Sequence, residues 1–123
     1  MPGRQEVSSF IRSTFRSVWA LELLCFLRQH RDRSWQRDDL VTTLRGSEQV
    51  VAQGIESLLA AGLVVIDAGE TVRYQPTSEA VDKLAGAAES LYASRPDAVR
   101  RLIVTHASSG ITSFADAFKL WRD

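Results

Sequence analysis

Histidine and cysteine are the residues from which a small protein most often builds a nucleophile, a proton shuttle or a transition-metal site. This chain has only His30, His106 and Cys25. The histidines are too far apart in sequence for metal-ligand spacing. His30 follows a predicted helix end, where the dipole favours a cation, and His106 continues an apolar helical stripe. Cys25 lies within a broad apolar arc, which favours a small buried side chain. We therefore expect no metal site and no reactive thiol.

The other residues that could carry catalysis are the adjacent acids Asp38 and Asp39. They fall in the first turn of a predicted helix, where carboxylates stabilise the helix dipole. The sequence has no glycine-rich phosphate loop and no Ser/His/Asp or Cys/His arrangement at a known spacing. We therefore expect a protein that is not an enzyme, needs no cofactor and acts by binding another macromolecule.

Composition is ordinary for a globular protein, with 45% hydrophobic and 24% charged residues in 123 positions. This length suits a single domain over residues 1–123. One cysteine permits no internal disulfide, which favours a reducing, cytoplasmic location. The longest apolar stretch, residues 18–27, is broken by Glu22 and is too short to span a bilayer, and no signal peptide is evident.

Hydrophobic periodicity predicts a mainly helical fold with one small β-hairpin. The hairpin has strands at residues 63–67 and 71–75, and a very short strand is expected at 34–35. Gly46 is expected to supply the permissive backbone of a tight turn, with Ser47 as the next N-cap. Helices are expected at residues 7–15, 17–30, 37–44 and 48–61, from Thr77 or Ser78 onward, from Pro96 onward, and at 111–121.

Helix, short strand, helix, tight turn, helix and hairpin follow one another between residues 17 and 75. The most specific string is Ile55-Glu56-Ser57-Leu58-Leu59-Ala60-Ala61-Gly62-Leu63-Val64. With Asp38-Asp39-Leu40 and Leu44-Arg45-Gly46-Ser47, it resembles the winged helix-turn-helix of bacterial regulators of the multiple-antibiotic-resistance type. The resemblance implies a winged-helix core at about 17–76, with an added N-terminal helix and a helical extension at about 77–123.

In that family, the helix at 48–61 would enter the major groove of double-stranded DNA and present its first turns to the bases. The resemblance therefore implies a DNA-binding transcriptional regulator. The matching exposed positions are Ser47, Glu48, Gln49, Ala52, Gln53 and Glu56, and the glutamines could pair with adenine edges. Arg45, just before the helix, and Arg73, on the wing, could hold phosphates.

The charge distribution supports a different partner. Residues 1–45 carry a net charge of +3, residues 46–93 carry −5 and residues 94–123 carry +2. The helix at 48–61 has no basic residue and contains Glu48 and Glu56, whereas phosphate neutralisation dominates DNA affinity. The alternative is therefore a winged-helix protein-interaction module whose acidic helix and wing meet a basic protein partner.

The last predicted helix carries an apolar stripe of Ile111, Phe114, Phe118 and Trp121. Such a stripe could pack on the core of its own chain, or it could complete a two-fold interface. By comparison with the winged-helix regulators, we expect a homodimer with these four residues at the interface.

Overall fold

The computed structural model describes residues 2–104, and it confirms a mainly helical fold with one antiparallel hairpin. Residues 96–104, which we label α6, are helical to the end of the described chain. The other elements in order are α1 (Arg4–Thr14), α2 (Val18–Gln29), α3 (Arg37–Leu44), α4 (Glu48–Ala60), β1 (Val64–Asp67), β2 (Thr71–Tyr74) and α5 (Glu79–Ser94).

Three helices begin at a serine cap, and for α2 the cap is Ser17 rather than Ser13 or Thr14, which the sequence suggests. The hydroxyl oxygens of Ser17, Ser47 and Ser78 accept hydrogen bonds from the backbone N–H groups three residues later, at 3.1–3.2 Å. Each cap satisfies one of the donors that a helix N-terminus leaves free. The structure thus confirms Ser47 as a cap and selects Ser78 over Thr77.

Helix α1 is longer at its start than the periodicity indicates. It begins at Arg4, and the Val7 N–H donates to the Gly3 carbonyl at 3.0 Å. The stripe predicted from residue 7 is nevertheless the face that packs, since Val7 and Ile11 are buried and α1 lies against α5. The added turn is polar, so hydrophobic periodicity could not reveal it.

The turn between α3 and α4 differs from the expectation at Gly46. Arg45, not Gly46, adopts the left-handed conformation, with φ of 56°. Gly46 is needed for space, because a Cβ there would lie 3.3 Å from the Trp19 ring. Its N–H donates to the Val41 carbonyl at 3.2 Å and closes the end of α3. The prediction of a tight turn is confirmed, but the assignment of its permissive backbone to Gly46 is wrong.

The hairpin pairs β1 with β2 in the register Val64↔Tyr74 to Asp67↔Thr71. Trp35 adds a single bridge to its outer side, exchanging hydrogen bonds of 2.7–2.8 Å with Val72. The strand predicted at residues 34–35 is therefore reduced to a single bridging residue, Trp35. Helix, bridge, helix, turn, helix and hairpin together give the order of a winged helix-turn-helix.

A glycine turns the chain from α4 into the wing. The Leu63 N–H donates to the Leu58 carbonyl and the Gly62 N–H to the Leu59 carbonyl, at 2.9 and 3.0 Å. This is a Schellman end, which requires a left-handed residue, and Gly62 has φ of +73°. Leu58 and Leu63 are both fully buried, so the turn also closes over the core.

The core lies between α2 and α4 and is continued by the other elements. Leu21, Leu24, Leu40 and Ile55 have no solvent exposure, and no charged residue is buried with the core among residues 2–104. Gly54 allows the two central helices to approach, since a Cβ there would lie 3.0 Å from Leu23 Cδ2. This packing fixes α4 rigidly enough to present its outer face.

A polar cluster joins α2, β2 and α5. Arg28 donates through Nη1 to Glu89 at 2.6 Å and through Nε to the Tyr74 hydroxyl at 3.2 Å. Tyr74 in turn donates to Asp82 at 2.6 Å. Burial, followed by this hydrogen bond, raises the pKa of Tyr74 to about 12. The cluster attaches the extension helix to the winged helix by directional bonds as well as by apolar contact.

Candidate binding surface

The outer side of α4 is the main exposed surface that the sequence singled out. Glu48, Gln49, Gln53 and Glu56 are exposed, whereas Val51, Gly54, Ile55 and Leu58 are buried on the opposite side. We call these four exposed residues the α4 face. The structure brings the predicted glutamines and Glu56 together on one side of the helix, as their spacing requires.

Arg45 and Ser47 flank the start of the α4 face. Arg45 is exposed at the C-cap of α3, one turn before the first residues of α4. Ser47 is exposed as well, but its hydroxyl oxygen already accepts the bond from the Val50 N–H. Arg45 is thus placed to meet a partner, whereas Ser47 orders the helix start.

Arg73 lies on the wing as expected, but its charge is already engaged. Its guanidinium donates to both carboxylate oxygens of Asp67, at 3.1 and 3.4 Å. The Ser34 hydroxyl donates to the same carboxylate at 2.9 Å. These bonds, that from Arg73 first, lower the pKa of Asp67. Val65 pairs with Arg73 and Asp67 with Thr71, so the ion pair is a diagonal contact that correct strand register could have predicted.

The surface around α4 is consequently acidic. Glu48 and Glu56 are exposed on the helix, and Glu70 is exposed in the turn of the wing. Exposed cations also lie near this helix, Arg45 before its start and Arg16 on a groove that Glu56 also lines, while Arg73 and Asp67 compensate each other. Three exposed glutamates against these two arginines leave an excess of negative charge, which favours a basic partner over phosphates.

A groove that the sequence does not predict lies beside the α4 face. It has a volume of about 680 Å³ and runs between the α1–α2 junction and the second half of α4. Its charged residues are Arg16 on one wall and Glu56 on the other. The remaining lining is small or polar: Ser13, Thr14, Ser17, Ala20, Gln53, Gly54, Ser57, Ala60 and Ala61. No signal in a single sequence indicates it, because its walls are about forty residues apart in the chain.

Cys25 and His30, considered above for a reactive thiol or a metal site, are both packed against other parts of the fold. Burial is the main cause that raises the pKa of Cys25 to about 12, so its thiolate is disfavoured at neutral pH. His30 Nδ1 lies 2.9 Å from the Phe26 carbonyl oxygen, and its ring packs against Phe26 and Trp35. Between residues 2 and 104, no three His, Cys, Asp or Glu side chains are grouped to hold a metal ion. His106 lies outside the described residues.

The four residues predicted at a dimer interface, Ile111, Phe114, Phe118 and Trp121, also lie outside the described residues. Within the described part of the chain, no helix combines the length and apolar character needed to cross a membrane.

Comparison with known proteins adds no relative: no family model, no curated protein and no solved structure matches this chain.

Proposed function

We propose that this protein is a non-catalytic, cytoplasmic regulatory protein that binds a basic segment of another protein through the α4 face. One observation carries the proposal: Arg73 is neutralised by Asp67 at hydrogen-bond distance. The wing therefore offers no free arginine to offset Glu48, Glu56 and Glu70. Complementary charge speeds encounter with a basic partner and selects against an acidic one.

The shape of the surface supports a macromolecular partner. The α4 face is one side of a helix whose opposite side is buried, and the same helix contacts β1 of the wing. A preformed surface of this kind binds with little loss of conformational freedom. The likeness to bacterial winged-helix regulators supports a regulatory role, and we retain that relationship as part of the proposal.

A second candidate function is DNA binding, favoured by a separate observation. Gln49 and Gln53 are exposed one turn apart near a well-capped helix start, with Arg45 beside them. This is the position from which a recognition helix reads adenine edges. To hold a phosphate as well, Arg73 would have to leave Asp67, and Glu48 and Glu56 on the same helix would oppose the duplex.

The two candidates predict opposite signs for one substitution. We expect Glu56→Gln to weaken binding to arginine- and lysine-rich peptides about three- to fivefold at low salt, mainly through slower association. We expect wild type to show no binding to a mixed-sequence DNA duplex under the same conditions. Surface-immobilised peptides and duplexes, measured over a salt series, give both association rates and affinities.

Glu79→Gln is the matched control, because Glu79 is an exposed acid at the start of α5 rather than on the α4 face. It should leave peptide binding unchanged. Duplex binding by wild type that strengthens in Glu56→Gln would contradict the protein-partner proposal. The DNA candidate then further requires that Gln53→Ala cost about 1–3 kcal/mol on the specific site.

We also propose that the protein is a homodimer that uses Ile111, Phe114, Phe118 and Trp121. The expected result is a sedimentation mass of about twice 13.7 kDa at micromolar concentration. Phe118→Asp should reduce it to the monomer mass, because an unpaired carboxylate is costly to bury in an interface. Lys119→Asp, a charge change next to the stripe, is the control. A wild-type protein that sediments as a monomer would refute this prediction.

A further inference from the structure

The groove between the α1–α2 junction and α4 carries one positive and one negative side chain. Arg16 and Glu56 both line it and are both exposed. Within residues 2–104, neither forms an ion pair, and the two do not pair with each other. Their charges therefore remain available to a ligand on both walls of one concavity.

The rest of the lining suits a small polar molecule. Two hydroxyl residues, Ser13 and Ser57, stand on opposite walls, and Gln53 contributes an amide. Ala20 and Gly54 line the groove with little side-chain volume, and a larger residue at position 54 would contact Leu23. A volume of about 680 Å³ is within the range of sites for small molecules and exceeds a single amino acid.

We propose that this groove binds a small zwitterion, an amino acid or a short peptide with free ends. Arg16 holds the carboxylate, for which its planar guanidinium offers two parallel donors. Glu56 accepts from the ammonium group. A net-neutral ligand with separated charges matches a groove with one charge of each sign, whereas a simple anion or cation leaves one wall unsatisfied.

The bound ligand covers part of the α4 face. Gln53 and Glu56 belong both to the groove and to that face, so an occupied groove excludes a macromolecule from them. The zwitterion then acts as a competitive regulator of partner binding. This consequence rests on the proposed function, while binding of the ligand itself does not.

The test is titration of the purified full chain, without any partner, with the standard amino acids, diglycine and triglycine, followed by amide chemical shifts. We expect saturable shifts at Arg16, Gln53 and Ser57 with at least one probe below about 10 mM. Whether an amino acid or a peptide saturates first distinguishes the two sources. The N-acetyl and C-amide forms of that probe, each lacking one charge, should bind about tenfold more weakly.

Charge-removing variants locate the site. Arg16→Gln and Glu56→Gln should each lower the affinity for the ligand about tenfold. Ala60→Trp should abolish binding, because the indole would fill the groove. Arg12→Gln and Glu48→Gln are matched controls, because Arg12 lies on α1, four residues before Arg16, and Glu48 lies on α4 with Glu56, and both are exposed but do not line the groove. All five positions are exposed, so circular dichroism should show unchanged folding.

Three results would overturn the inference: no saturable shift with any probe, binding indifferent to both Arg16→Gln and Glu56→Gln, or dependence on only one of them. Failure of the proposed function is separately visible. Because Glu48 lies outside the groove, Glu48→Gln should weaken binding of a basic peptide but leave binding of the zwitterion unchanged. Peptide binding that Glu48→Gln does not change would count against the proposed function alone.

Discussion

Gly62→Ala is expected to lower the free energy of unfolding by about 2–4 kcal/mol. A left-handed conformation costs an alanine about 1–2 kcal/mol, and Gly62 has φ of +73°. The new methyl group would also lie 2.8 Å from Thr77 Oγ1 and 3.0 Å from Thr77 Cγ2. The Thr77 N–H donates to the Gly62 carbonyl at 2.8 Å, which holds the two residues together.

Gly69→Ala is a matched control for this substitution. Gly69 is also left-handed, with φ of +86°, but a Cβ there would have no neighbour within 4 Å. Urea denaturation should therefore show a loss of only about 1–2 kcal/mol for Gly69→Ala. Adding Thr77→Ala should reduce the cost of Gly62→Ala toward that value. Equal losses at the two glycines would show that crowding against Thr77 contributes nothing.

Arg28→Ala is expected to destabilise the fold by about 2–3 kcal/mol at neutral pH. The change removes the cation beside Glu89 and leaves Asp82 with only Arg31 at 4.0 Å, and the two carboxylate side chains are only 25% and 33% exposed. It also removes the bond to the Tyr74 hydroxyl. We place the loss below that of a fully buried pair, since water reaches both carboxylates.

The cost of Arg28→Ala should depend on pH with a defined sign. The bond from Tyr74, followed by the charge of Arg28, lowers the pKa of Asp82 in the folded state. Its contribution to stability is therefore present above the unfolded pKa and is lost as the pH falls through the folded value. The difference between wild type and Arg28→Ala should shrink in acid, as measured by denaturation at neutral pH and near pH 3.

Arg31→Ala controls for general loss of positive charge near the same carboxylates. Arg31 is 52% exposed and lies 4.0 Å from Asp82. Its ion pair and its contact over the Tyr74 ring, at 5.0 Å, together predict a loss below about 1 kcal/mol. Similar losses for the two arginines would indicate that the Arg28 cluster does not hold α5 in place.

Local signals in the sequence were sufficient to predict most elements. The serine caps at 47 and 78, the apolar stripes of α2 and α4, and Gly62 act within a few residues of their own positions. Such features are set by helix geometry and backbone sterics, which the chain carries locally. The same local rules place Gln49, Gln53 and Glu56 on one exposed helix side.

Features that depend on distant residues required the tertiary structure. The left-handed residue of the α3–α4 turn is Arg45, and Gly46 instead provides space for Trp19, which lies 27 positions earlier in the chain. The pairing of Arg73 with Asp67 follows from strand register, and the bond from Ser34 follows from the bridge at Trp35. None of these partners can be identified from the spacing of one residue type.

The acidic α4 face and the groove illustrate the same division. Glu48 and Glu56 are evident in the sequence, but only the folded wing shows that Arg73 does not offset them. Arg16 carries no motif, and it faces Glu56 only because α2 packs across α4 with Gly54 at the contact. The helices, the strands and their polar sides follow from local periodicity, which can be seen in the sequence. Tertiary packing decided which charges remain free, because that depends on residues brought together from distant parts of the chain.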